Sequence, residues 1–129
     1  LVPGDTNNRR DCFVRDRVLG TTERVSLTHT GAQVLGADCA LPKISADGRY
    51  VIFQSLSSIL VPGDTNSLQD VFLRDRLLET TVRVNLTSTG SQTVGGTTFS
   101  SGLSADGRVV CFQSNATNLV PGDTNADTD

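Results

Sequence analysis

The heptapeptide LVPGDTN begins at Leu1, at Leu60 and at Leu119, so the 129-residue chain is built on a period of 59 with no insertion or gap. Laid over residues 60–118, residues 1–59 agree at 32 positions, far above chance. A sequence that repeats at this length builds one supersecondary unit per period, and such a unit buries its apolar faces only against like units beside it. The chain is two periods plus eleven residues, Leu119 to Asp129, which open a third. Shared blocks are LVPGDTN, a D-x-F-x-RDR run, a TT-x-RV-x-LT run, and SADGR followed by an apolar run ending in FQS.

Within a period the pattern predicts strands. Arg49-Tyr50-Val51-Ile52-Phe53-Gln54 is short, β-branched and aromatic, and follows the turn former Ala46-Asp47-Gly48. Asp70-Val71-Phe72-Leu73-Arg74 is a second run, bounded upstream by Pro62-Gly63 and Asn66. Residues 80–87 alternate, which predicts Val82, Val84 and Leu86 on one face and Thr81, Arg83 and Asn85 on the other. A fourth strand is expected just before SADG, around Cys39 to Ile44 and Phe99 to Leu103. No segment offers ten residues of helical periodicity with caps. Four short strands per period, with Gly, Asp and Asn at the corners, is the content of one propeller blade.

Composition narrows the classes of function. Aromatics are 5% of the chain, with no Trp and one Tyr, Tyr50, which suits thin β layers and disfavours a carbohydrate-binding module that stacks rings on sugars. Net charge is −3 with Arg and Asp interspersed, so the basic footprint of a nucleic-acid binder is missing. No apolar run approaches the roughly 18 residues of a membrane helix. There is no Met, so a processed, excised or partial segment of a longer translation product is expected. Three cysteines, Cys12, Cys39 and Cys111, lack metal-type spacing and allow at most one intrachain pair with a thiol left over.

SADGRYVIFQS, then the loop holding LVPGDTN, then DVFLRDR and TTVRVNLT, resembles the TolB-type (WD40-like) β-propeller repeat of secreted and periplasmic bacterial proteins. The resemblance covers essentially the whole chain, although 59 residues is long for one blade and implies enlarged loops. In that family the strand before Ser-x-Asp-Gly is innermost. The resemblance therefore implies two outer strands of a partial blade in residues 1–38, a complete blade in 39–97, and two inner strands of another partial blade plus the repeated loop in 98–129. Two blade-equivalents cannot close a ring of about four to eight. Both ends would then expose unpaired edges, to be completed head to tail by further copies, as a ring or a filament, or by further blades of a longer chain. On this phase Cys12 and Cys111 fall on strands that become neighbours when chains share a blade, making them a candidate interchain disulfide. The plainer reading is that both fill strand positions as small hydrophobes, since Val71 and Ile52 stand at the matching places.

The thrice-repeated loop is the foremost candidate for chemistry. It carries Asp5, Asn7 and Asp11; Asp64, Asn66 and Asp70; and Asp123, Asn125 and Asp129, with Asp127 as an extra oxygen in the third copy. Alternate side-chain oxygens around a Gly are what Ca²⁺ takes, so these are candidate metal ligands. Against that, Arg9 and Leu68 stand where Asp127 does, and three side chains fall short of the 6–8 oxygens of a Ca²⁺ shell. Turn chemistry alone also accounts for Pro-Gly-Asp and Asp-Thr-Asn. Asp47 and Asp106 read as hairpin caps, and Arg15-Asp16-Arg17 with Arg74-Asp75-Arg76 as partners in surface or blade-to-blade ion pairs. His29 is matched by Ser88, so a catalytic triad resting on it would be lost in the second copy. Glu23 and Glu79 likewise recur in neither copy, and no G-x-S-x-G elbow or phosphate loop is present. Asn85-Leu86-Thr87 and Asn115-Ala116-Thr117 match the glycosylation sequon.

These readings converge on an exported, extracellular or periplasmic β-propeller repeat scaffold without catalysis of its own, acting in protein interaction or self-assembly. No cofactor other than Ca²⁺ is expected. The alternatives are the scaffold segment of a larger secreted hydrolase or lyase, and a carbohydrate-binding module.

Overall fold

The structure is a computed structural model describing residues 2–123 and 127. Among these residues there is no helix, and every strand pair is antiparallel. β1 (Phe13–Asp16) pairs with β2 (Thr21–Arg24). β3 (Cys39–Ile44), β4 (Tyr50–Ser55), β5 (Asp70–Asp75) and β6 (Thr80–Arg83) form a four-stranded sheet in that order. β7 (Thr98–Leu103) pairs with β8 (Val110–Ser114). The two-stranded sheets repeat halves of the four-stranded one: β1–β2 matches β5–β6, and β7–β8 matches β3–β4.

Each expected hairpin forms because its side chains close it locally. In Ser45-Ala46-Asp47-Gly48, the Gly48 amide donates to the Ser45 carbonyl at 3.0 Å and the Tyr50 amide to the Ser45 hydroxyl at 2.9 Å. Asp47 takes the Ser45 hydroxyl and the Arg49 amide. Gly48 sits at φ 75°, where a side chain is strained. Ser104, Asp106 and Gly107 repeat every one of these bonds. A β-bulge interrupts β3 between Ala40 and Lys43, and β7 between Ser100 and Gly102.

The four-stranded sheet is covered on both faces, as the burial of β4 from Val51 to Ser55 requires. On one face Val51, Phe53 and Phe72 join Cys12, Val25, Val34, Cys39 and Leu60 in a core shared with the β1–β2 unit, and Phe53 stacks on Phe72 at 5.9 Å. Leu60 and Val61 of the second LVPGDTN pack onto this core. On the other face Gln54 accepts from the Ser100 amide of β7, which puts Ile52, two residues away, on the β7 side as well.

The alternation expected over residues 80–87 is present, and the buried face is the polar one. Thr81, Arg83 and Asn85 are buried, while Val82 and Leu86 are 49% and 38% exposed. The polar face wins burial because each of its members finds a partner there. Thr81 Oγ1 donates to the Leu27 carbonyl at 2.8 Å, Asn85 Nδ2 to Asp70 at 2.6 Å, and Arg83 pairs with two carboxylates. The apolar face lies toward β7–β8. Ile52, Leu73 and Val82 form one row across β4, β5 and β6, and they pass from fully buried to half-buried to exposed. Among the described residues the neighbouring sheet has two strands, β7 and β8, and its cover stops before β6.

Glu79 closes the β5–β6 turn at φ 55°, where the first period has Gly20 at φ 68°. A left-handed non-glycine residue costs about 1–2 kcal/mol, so Glu79→Gly is expected to stabilise the chain by about 1 kcal/mol, read as a higher urea midpoint at unchanged m-value.

Candidate functional site

The repeated loop folds around its Asn. In the second copy Asn66 Oδ1 accepts the Leu68 amide at 3.0 Å, while Nδ2 donates to Asp70 at 3.2 Å and to the Thr93 carbonyl at 3.3 Å. This Asx turn holds Ser67 at φ 56°. Asp70 is fully buried and faces Arg83 Nε at 3.4 Å; Arg83 Nη2 lies 3.1 Å from Asp64, and Nη1 donates to Gln92 at 2.8 Å. The first copy repeats the plan. Asn7 holds Asp11 and the Val34 carbonyl, and Arg24 lies 3.2 Å from Asp11 and 3.1 Å from Asp5. Ser26, matching Asn85, donates to Asp11 at 2.8 Å.

The positive charge facing these carboxylates is thus an arginine from the second strand after the loop, β2 or β6. Arg24 and Arg83 each span two of the candidate metal ligands, and Asn7 and Asn66 spend their amides inside the loop. In both copies the guanidinium supplies a positive charge within ion-pair distance of both carboxylates. Among the described residues no three acidic, His or Cys side chains gather as a metal would require. Burial pushes the Asp64 carboxyl above its ordinary value, with the Arg83 charge working against it. In the third copy Asp123 is half-buried and Asp127 exposed; Asn125 and Asp129 lie outside the described residues. The sequence reading missed Arg24 and Arg83, although an arginine kept in both copies within an otherwise apolar–polar strand was the available signal.

Of the two RDR runs, only Asp75 and Arg76 form ion pairs among the described residues. Asp75 binds Arg49 through both oxygens at 2.7 and 3.0 Å and also accepts the Leu77 and Leu78 amides. Arg76 pairs with Glu23 of β2 and bonds the Gly48 carbonyl, which ties the β1–β2 unit to the four-stranded sheet. Arg74 is satisfied by the Glu79 carbonyl at 2.7 Å, and Arg15 by Thr22 at 2.9 Å. The Arg49 guanidinium, ahead of the Leu78 and Leu77 amides, holds the Asp75 carboxyl down to about 2. A carboxyl depressed in the folded state stabilises fully above its unfolded pKa of about 4, and loses that contribution as pH falls through the folded value. The melting temperature of the native chain is therefore expected to fall more steeply from pH 4 to pH 2 than that of Arg49→Met.

Cys12 is bonded to Cys39, not poised for Cys111. The Cα atoms are 5.8 Å apart, and the bridge joins the β1–β2 unit to β3 across the shared core. Cys12 lies just before β1 on the face it shares with Val14, toward the next sheet, and β3 runs opposite it. Cys111 is free and exposed on β8. His29 is exposed; its amide donates to the Leu60 carbonyl at 2.8 Å, and its imidazole has no partner among the described residues. The Asn85 sequon is occupied structurally, since Asn85 is fully buried and also accepts the Val71 amide at 2.9 Å. Asn115 accepts the Thr97 amide at 2.6 Å. Among the described residues no helix is long and apolar enough to cross a membrane. Comparison with protein-family models, curated proteins and solved structures finds no match to this chain.

Proposed function

We propose that the chain is a TolB-like β-propeller repeat scaffold, exported and without catalysis of its own, whose work is protein interaction through head-to-tail completion of its split blades. One observation carries this reading. Positions one period apart touch each other at the inner strands: the Ala46 amide donates to the Ala105 carbonyl at 3.1 Å, and Ser100 Oγ to the Leu41 carbonyl at 3.0 Å. Outer-strand contacts such as Thr81 to Leu27 and Arg76 to Glu23 join positions out of step with the period. Equivalent positions of successive units lie close together only near the axis that relates the units, which is where the inner strands of a propeller lie. The Cys12–Cys39 bridge favours an oxidising compartment, in keeping with export.

The test is the native mass of the 129-residue chain across a range of concentrations. Integer multiples of 13.7 kDa are expected, unchanged by a calcium chelator because the loops carry their own arginine. A particle of one chain at every concentration overturns self-assembly.

A further inference from the structure

We infer that a second copy of this chain docks its β1–β2 hairpin on the free edge of β8, in the register that β5 keeps on β4. The inference rests on the repeat-scaffold reading and makes its contact specific. β8 has a partner on one edge only, β7, and β1 only β2, so each presents an unpaired row of backbone donors and acceptors. Within the four-stranded sheet the corresponding strands pair Tyr50 with Asp75, Ile52 with Leu73, and Phe53 with Phe72. Carried one period along, these pairs set Val109 opposite the second copy's Asp16, Cys111 opposite its Val14, and Phe112 opposite its Phe13.

Three features of the edge match what this register supplies. Arg49 clamps Asp75 in the complete sheet; its equivalent Arg108 forms no ion pair among the described residues, and Asp16 accepts only the Val18 and Leu19 amides. Phe53 stacks on Phe72, while their equivalents Phe112 and Phe13 are both half-buried and, among the described residues, stack on no other ring. Val82 and Leu86 are exposed, and Leu86 lines an open groove of about 300 Å³ together with Phe112 of β8. The occupant is a second copy because residues 11–28, which repeat 70–87, carry the carboxylate and the ring that would meet Arg108 and Phe112.

The free thiol of Cys111 serves as the probe. In Val14→Cys a cysteine stands opposite Cys111 of the neighbouring chain, whereas in Arg15→Cys it points to the other face of the strand. Mild oxidation of Val14→Cys is expected to give covalent multimers linked through positions 111 and 14 by peptide mapping, at least tenfold more than Arg15→Cys gives. Independently of any change in the core, Arg108→Glu is expected to weaken assembly roughly tenfold relative to Arg9→Glu, since it sets like charges against each other. If the native chain assembles but Arg15→Cys links as well as Val14→Cys, or Arg108→Glu assembles like Arg9→Glu, this register is wrong and self-assembly stands. A native chain that stays monomeric overturns both.

Discussion

Arg83→Met is expected to lower the stability of the folded chain by about 3–5 kcal/mol, the range for removing one partner of a buried ion pair. The side chains of Arg83, Asp64 and Asp70 are 6%, 3% and 0% exposed. Methionine fills much of the same volume, so packing is largely kept while two carboxylates lose the charge that faces them. Asp70 keeps the Asn85 amide and the Thr93 hydroxyl, but Asp64 has no comparable set, and burial already opposes its ionisation. The loss reads as a drop in melting temperature on the order of 10 °C. Arg24→Met is the internal comparison. Its partner Asp5 is 31% exposed and keeps access to water, so the cost there is smaller. The pH dependence has a definite sign. Without the guanidinium the Asp64 carboxyl, already pushed up by burial, loses the charge that opposes that shift and rises further above its unfolded value. Protonation then favours the folded variant, and the gap to the native chain narrows as pH falls toward 4. A variant that unfolds at the native temperature, with no narrowing, would show that the arginine carries no such charge-balancing role.

Replacing the disulfide is expected to have the next largest effect. Cys12 and Cys39 are 27 residues apart, and a cross-link closing a loop of that length stabilises by about 3–4 kcal/mol through the unfolded state. The second period supplies the control for packing, because Val71 and Thr98 occupy the matching positions and are both buried. In the Cys12→Val, Cys39→Thr double variant the side chains are those the fold already accommodates one unit along, which leaves the loss of the covalent tie. Its urea midpoint should match that of the reduced native chain and be insensitive to added reductant. A native chain unmoved by reductant would refute the tie. Because the bridge joins the β1–β2 unit to β3, its loss should also loosen residues 1–38 first, visible as early amide exchange in β1 and β2.

Strand positions and turns were legible because their causes are local. Ser45, Asp47 and Gly48 close their hairpin with one another's atoms, and the same residues in the second copy close the same bonds. Which face of residues 80–87 is buried was not legible, because alternation says only which residues share a face. Val82 reads as core by hydropathy, yet Arg83 is the residue inside, since Asp64 and Asp70 reach it from a loop more than ten residues upstream. The arginine that faces the loop oxygens was not legible for the same reason. Asp, Asn and Gly in this spacing suit a hard cation, and only the fold brings an arginine from β2 or β6 to the same place. The pairing of Cys12 with Cys39 depends on how two sheets stack, which no spacing of cysteines encodes.

By itself the sequence determined the unit: a period of 59, four strands in it, and the hairpins that join them, because backbone geometry and turn chemistry act within a few residues. The tertiary structure decided the rest. Which face of each strand is buried, which charge meets the loop carboxylates, which cysteine pairs and which edge stays open all depend on what lies across from a residue, and that is set by the packing of one repeat on the next.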